Sequence, residues 1–189
     1  MNITGIVLAG GRSVRFGSNK AISMFQNKTM IKHSIDLLAK FCDQVIISGD
    51  KEEYVRYGYP CIPDKYENIG PLGGVCSSLE ASPTDVNVVV TCDMPLVTEE
   101  MIRKLLEAHQ SGKITVFDRD NNDIYPFPGI YEKTHLPLLT DIIHSGKYQI
   151  REAINRNEGI RVPLESDEVI CMSNVNTNDE LLSLEKCKI

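Results

Sequence analysis

Residues 3–20 read ITGIVLAGGRSVRFGSNK, and this stretch decides the fold. Ile3 to Ala9 is a short apolar run rich in β-branched residues, the pattern of a buried strand. From Gly10 to Lys20 the periodicity stops, and glycines (Gly10, Gly11, Gly17) alternate with cations (Arg12, Arg15, Lys20). Thr29 to Phe41 then places Met30, Ile31, Ile35, Leu38 and Phe41 at helical spacing. Strand, glycine-rich loop and helix make the opening of a βαβ unit, closed by the strand QVIIS at 44–48.

Outward from there the alternation continues. Lys51–Tyr57 reads as a short, mostly polar helix and Pro60–Pro63 as a brief strand. Asn68–Gly74 is a second glycine-rich turn, with Pro71 suited to the first turn of a helix running to about Ala81. Asn87–Thr91 (NVVVT) is the strongest buried strand. Thr98 is an N-cap whose helix, with Glu99 and Glu100 in its first turn, runs to about Gln110. Strands are expected at 114–117, 129–131 and 169–172, and helices at 134–145 and 149–155. Thr177 and Glu180 form a capping box before the last helix. The alternation predicts an α/β fold, a three-layer αβα sandwich on a mostly parallel, Rossmann-like central sheet. Ligands of such sheets sit beyond the carboxyl ends of the strands, which singles out the loops 10–20, 64–74 and 92–97.

The chain of 189 residues suits one domain, 1–189. With 42% hydrophobic and 24% charged residues, it is no disordered tail. Its apolar runs are too short to span a bilayer, and no signal peptide is read at the start. Six cysteines without a C-x-x-C pair fit free thiols in a reducing cytoplasm. The net charge of −6 disfavours nucleic acid as a partner. Residues 1–40, however, carry six Lys/Arg against Asp36 alone, leaving −11 on the remainder. A basic loop in an acidic protein fits a small phosphorylated ligand, or equally a solvated cluster of cations.

Three constellations carry the candidate chemistry. The 10–20 loop is neither G-x-G-x-x-G nor G-x-x-x-x-G-K-[ST], yet adjacent glycines can aim N–H groups at an anion that Arg12, Arg15 and Lys20 would neutralise. Asp93, in Thr91-Cys92-Asp93-Met94-Pro95, stands just past a central strand. There it could ligate Mg²⁺ with substrate phosphates or cap the following turn. Asp64 and the turn Gly70-Pro71-Leu72-Gly73-Gly74 could face a nucleoside or be plain turn chemistry.

Together these residues resemble a known pattern. LAGGRSVRFGSNKA is similar to the L-A-G-G-x-S-x-R-x-G-x-x-K signature of the GT-A-like nucleotidyltransferases, of the nucleotide-diphospho-sugar transferase fold type. The segments GPLGG (70–74), CDMP (92–95) and NVNT (174–177) narrow the resemblance to the molybdenum cofactor guanylyltransferases, over nearly the whole chain. The resemblance implies transfer of GMP from GTP to the phosphate of molybdenum-bound molybdopterin, with Mg²⁺ as cofactor. Leu8, Ala9, Gly10, Gly11 and Asp64 would contact GTP, and Lys20 its phosphates. Asp93 would bind nucleotide and metal, and Arg15 would join Lys20 and Asp93 in catalysis. Asn174 and Asn176 would lie on the pterin side. Transient contact with molybdenum-insertion proteins or molybdoenzyme chaperones also follows from the resemblance. Where some members carry a nucleotide-contacting Asn after the second strand, this chain has Ser48-Gly49-Asp50. The rival readings are another nucleotidyltransferase of this fold, using CTP or a sugar or alcohol phosphate, and a binding module without turnover.

Overall fold

The computed structural model describes residues 2–10, 19–66, 68–119 and 123–186, the side chains at 178, 185 and 186 excepted. Its first strand, β1 (Ile3–Leu8), is buried along its whole length. It pairs in parallel with β4 (Gln44–Ser48) on one side and β6 (Val86–Thr91) on the other. Continuous β-branched runs are what a strand covered on both faces requires. Two short strands, β2 (Met24–Phe25) and β3 (Lys28–Thr29), form a separate hairpin. The main sheet has the order β5-β4-β1-β6-β8-β7-β9, with β5 at Cys61–Ile62, β7 at Thr115–Arg119, β8 at Asp123–Glu132 and β9 at Ile160–Pro163. Only β8 runs against its neighbours, so the sheet is mostly parallel, as expected.

Helices cover both faces. A side chain at Gly5 of β1 would strike Leu38 of α1 (Met30–Leu38), whereas Leu8 reaches toward Gly74 of α2 (Pro71–Ala81). Residues 5 and 8 point to opposite faces of a strand, so α1 and α2 lie on opposite sides. On the α1 side, Lys40 pairs with Glu99 of α3 (Glu99–Ala108). On the other side α2 packs against α4 (Leu136–His144), and α4 against α5 (Ile150–Arg156). Two predicted caps form: Thr98 Oγ1 accepts from Met101 N at 3.3 Å, and Thr177 and Glu180 exchange bonds of 3.2 Å at the start of α6 (Asn178–Lys186). Leu181 of α6 joins Phe25, Met30 and Val175 in a second small core beside the main one.

The structure corrects four expectations. Val169–Met172 is a 3₁₀ helix and not a strand. It satisfies its backbone locally instead, through Cys171 N→Glu168 O and Ser173 N→Ile170 O. β8 is much longer than 129–131. Pro126 and Pro128 mask it in the sequence, and the register with β7 slips between Val116 and Phe117, where those prolines cannot donate. The edge strand β9 was not foreseen, being four residues long with a terminal proline. Nor was the β2–β3 hairpin, whose turn residues Gln26 and Asn27 both take positive φ.

At the far end of β8 lies a buried polar network. Glu132 accepts from Gly112 N at 2.9 Å and contacts His109 Nε2 at 3.1 Å, while His109 Nδ1 meets Thr115 Oγ1 at 3.0 Å. His135 Nδ1 accepts from Glu132 N at 2.9 Å, so this histidine is neutral. Burial pushes its pKa below the usual histidine value, outweighing the upward pull of Glu132 and reinforced by His109. Below about pH 6.5 the unfolded chain therefore takes up a proton that the folded chain refuses. Stability should fall as pH drops below that value, by at most about 1.4 kcal/mol per pH unit from this group. Thermal melts from pH 7.5 to 5.5 check this. A His135→Asn variant should show a flatter slope, and a parent-like slope would assign the acid loss elsewhere.

Candidate active site

The carboxyl ends of β1, β4 and β6 present Leu8, Ser48 and Thr91 to one cavity of about 680 Å³. Gly10 and Gly49, just past β1 and β4, line it too. Asp64, Asn68, Gly70, Pro71 and Gly74 close one side, and Lys20, Cys92 and Asp93 the other. Two of the three loops singled out above meet here, together with the described part of the first. This is the crevice where β1 lies between strands reached by connections of opposite direction.

Asp93 is set by the end of β6. Cys92 N donates to Leu8 O at 3.0 Å, Met94 N to Thr91 O at 3.4 Å, and Val175 N to Asp93 O at 2.8 Å. Its side chain caps no turn among the described residues. Oδ2 accepts from Lys20 Nζ at 2.9 Å, with 21% of the Asp93 side chain and 15% of the Lys20 side chain exposed. Oδ1 and Thr91 Oγ1 are both buried and have no hydrogen-bond partner among the described residues. A hard, unsatisfied carboxylate oxygen beside a cavity suits a small divalent cation. No three His, Cys, Asp or Glu side chains cluster for a metal among the described residues, so such a cation would draw its other ligands from substrate and water.

Lys20 sits at the start of a 3₁₀ turn (Lys20–Ile22), and its ammonium also donates to Asn176 Oδ1 at 3.2 Å. Asn176 is thus brought to Lys20, while Asn174 is exposed and has no polar partner among the described residues. Asp64 shows the turn chemistry, its Oδ1 accepting from Tyr66 N at 2.9 Å and Ser77 Oγ at 3.2 Å, and the residue also lines the cavity. Ala9 stays behind the cavity wall, its N donating to Ser48 O at 2.9 Å. Gly11 and Arg15 lie outside the described residues. In the second glycine turn only Gly70, Pro71 and Gly74 face the cavity. Gly73 instead lets α2 approach the 64–66 loop, since a Cβ there would lie 2.6 Å from Tyr66 O. The sequence reading missed Ser48, Gly49 and Asn68 as lining residues. Their only signal was position, because Ser48 and Gly49 follow β4 as Leu8 and Gly10 follow β1. Cys92 faces the cavity, yet burial and the neighbouring Asp93 push its thiol up to about 12, so no thiolate nucleophile is available there.

A cation and a carboxylate paired over the carboxyl ends of parallel strands, beside a cavity of this size, suit a phosphorylated ligand and a nucleotidyltransferase class of protein. The comparisons agree. The MobA-like NTP transferase domain matches residues 5–160. The chain is 31% identical over 183 residues to the probable molybdenum cofactor guanylyltransferase of Flavobacterium johnsoniae, with 96% of each chain covered. It is 29% identical to the molybdenum cofactor guanylyltransferase of Vibrio vulnificus, covering 93% of this chain and 91% of that one. Molybdopterin-guanine dinucleotide biosynthesis protein A from Archaeoglobus fulgidus shares the fold, with a TM-score of 0.79 at 23% identity over 97% of both chains. The chain belongs to the MobA-like NTP transferase family.

Proposed function

We propose that the chain transfers GMP from GTP to the phosphate of molybdenum-bound molybdopterin, forming the molybdopterin guanine dinucleotide cofactor and pyrophosphate. We read residues 1–189 as one nucleotidyltransferase domain, because the segment after β9 packs back onto the site through Val175 and Asn176. One oxygen of the pterin phosphate attacks the α-phosphorus of GTP. As that P–O bond forms, the bond from the α-phosphorus to the bridging oxygen breaks and pyrophosphate leaves. The attacking oxygen is already ionised at neutral pH, so no general base is needed, and no protein nucleophile is consumed.

The work of the protein is positioning and charge stabilisation. Lys20 holds the phosphates, Arg15 adds positive charge, Leu8, Gly10 and Gly11 contact GTP, and Ala9 supports them from behind. Asp64 orients the nucleoside, and Asn174 serves the pterin side. Asn176 steadies the Lys20 ammonium. Asp93 would hold Mg²⁺, which supplies charge neutralisation on the phosphates when bound. The observation that carries this reading is the Lys20 Nζ–Asp93 Oδ2 contact of 2.9 Å between two cavity-lining residues, with the buried Asp93 Oδ1 unpartnered among the described residues. The test is pyrophosphate release from GTP with Mg²⁺ and molybdenum-loaded pterin, and absence of release sinks the reading.

Base choice is a sharper test. Guanine offers an acceptor at O6 and donors at N1 and N2, whereas cytosine presents the opposite polarity on a smaller ring. Gly70 and Gly74 line the cavity without side chains, so such a base could approach their backbone closely. Each buried polar group stranded by the wrong base costs roughly 1–3 kcal/mol. GTP should therefore be used at least about tenfold better than CTP, with ATP also poor. Competition kinetics decide it, and a CTP preference would remove the guanylyl assignment.

A further inference from the structure

We propose that Tyr54 is a positioning residue for the nucleotide phosphates: its hydroxyl ties together Ala9 and Asn19, the two stems of the glycine-rich loop. This rests on the nucleotidyltransferase reading above. Tyr54 lies in the 3₁₀ helix Glu52–Tyr57, outside the catalytic pair, and is fully buried. Its single hydroxyl proton is shared as a three-centre bond between two acceptors, Ala9 O at 2.8 Å and Asn19 Oδ1 at 3.1 Å. Asn19 is gripped further from the same element: Lys51 Nζ donates to its Oδ1 at 3.2 Å, and its Nδ2 donates to Glu53 Oε2 at 3.3 Å.

The two stems are the residues directly before Gly10 and Lys20. Their spacing sets where the Gly10 backbone and the Lys20 ammonium stand relative to each other, and both line the cavity. Gly49 makes room for the arrangement. It takes φ +135, and a Cβ on it would lie 3.2 Å from the Tyr54 ring and 3.5 Å from Gly10 N. Filling this space would need only a ring. A buried hydroxyl is a cost unless it is bonded, so the bond across the stems is what distinguishes tyrosine from phenylalanine here. Burial pushes the phenol well above the usual tyrosine range, so it remains a proton donor at every working pH. Displacement of reacting groups by about 1 Å can cost on the order of a hundredfold in rate, so stem spacing bears directly on turnover.

The experiment compares Tyr54→Phe, Asn19→Ala and the double variant with the parent chain. The readouts are equilibrium affinity for GTP with Mg²⁺, KM and kcat, and Tm. Tyr54→Phe should melt within a few degrees of the parent yet bind GTP about tenfold more weakly, with KM rising in step. Asn19→Ala should do the same, and the double variant should lose less than the product of the two, because both remove one bridge. If Tyr54→Phe does not fold, the half-buried Asn19→Ala carries the test alone. Parent-like GTP affinity in the folded variants, or a loss confined to Tm, overturns the proposal. The parent is measured first with both GTP and CTP. A preference for CTP refutes guanylyl transfer while the stem comparison proceeds on CTP, whose phosphates are the same. A parent that binds neither overturns both.

Discussion

Lys20→Ala is expected to lower kcat/KM for GTP by about tenfold to a hundredfold while the fold stays intact. One charge-assisted hydrogen bond to phosphate is worth roughly 1.5–3 kcal/mol, and about 1.4 kcal/mol is a factor of ten in rate. The ammonium is held ready at the cavity by Asp93 and Asn176. Its removal does not strand a dry charge, because the Asp93 side chain is 21% exposed on the cavity side and water can replace the lysine. Steady-state kinetics and a thermal melt of the same preparation check both halves. Unchanged melting with near-parent kcat/KM would remove Lys20 from phosphate binding.

Asp93→Asn should be more damaging, with turnover reduced by about a hundredfold or more, because loss of the metal's charge stabilisation is worth several kcal/mol. Asparagine keeps the shape and one acceptor oxygen, but it removes the negative charge that both a cation and Lys20 see. Residual activity should need more Mg²⁺ than the parent. A Mg²⁺ titration identical to the parent's would reduce Asp93 to an anchor for Lys20 alone.

The half of the sheet around β1 was legible because Ile3–Leu8, Val45–Ser48 and Val86–Val90 are buried on both faces and so read as near-continuous apolar runs, broken only by small or short polar residues such as Thr4 and Asn87. The location of the site followed from strand direction. The pairing within it did not. Lys20 and Asp93 are 73 residues apart, and Lys20 and Asn176 are 156 apart, so no periodicity links them; strand direction and the resemblance set Lys20 and Asp93 in one crevice, but not in contact. The resemblance put Asn176 on the pterin side, and its contact with Lys20 is visible only in three dimensions. Tyr54 was hidden differently. It sits in a polar 3₁₀ stretch between exposed Glu53 and Val55, where a single buried ring leaves no pattern. Val169–Met172 misled for the reverse reason: its β-branched residues suit a strand, but pairing depends on a free edge that local composition does not report.

The reversal of β8 has one further consequence. Because that strand runs against β6, its last residue, Glu132, lies opposite Val86 at the start of β6, while Thr91 and the cavity lie at the other end. Five residue steps at roughly 3.3 Å separate the two levels by about 17 Å. No member of the Glu132–His109–His135 network lines the cavity. Because the folded chain refuses the proton that an unfolded His135 accepts, acid lowers the population of folded molecules and leaves the rate of each surviving molecule alone. In mildly acid conditions the chain would lose workers before it loses speed.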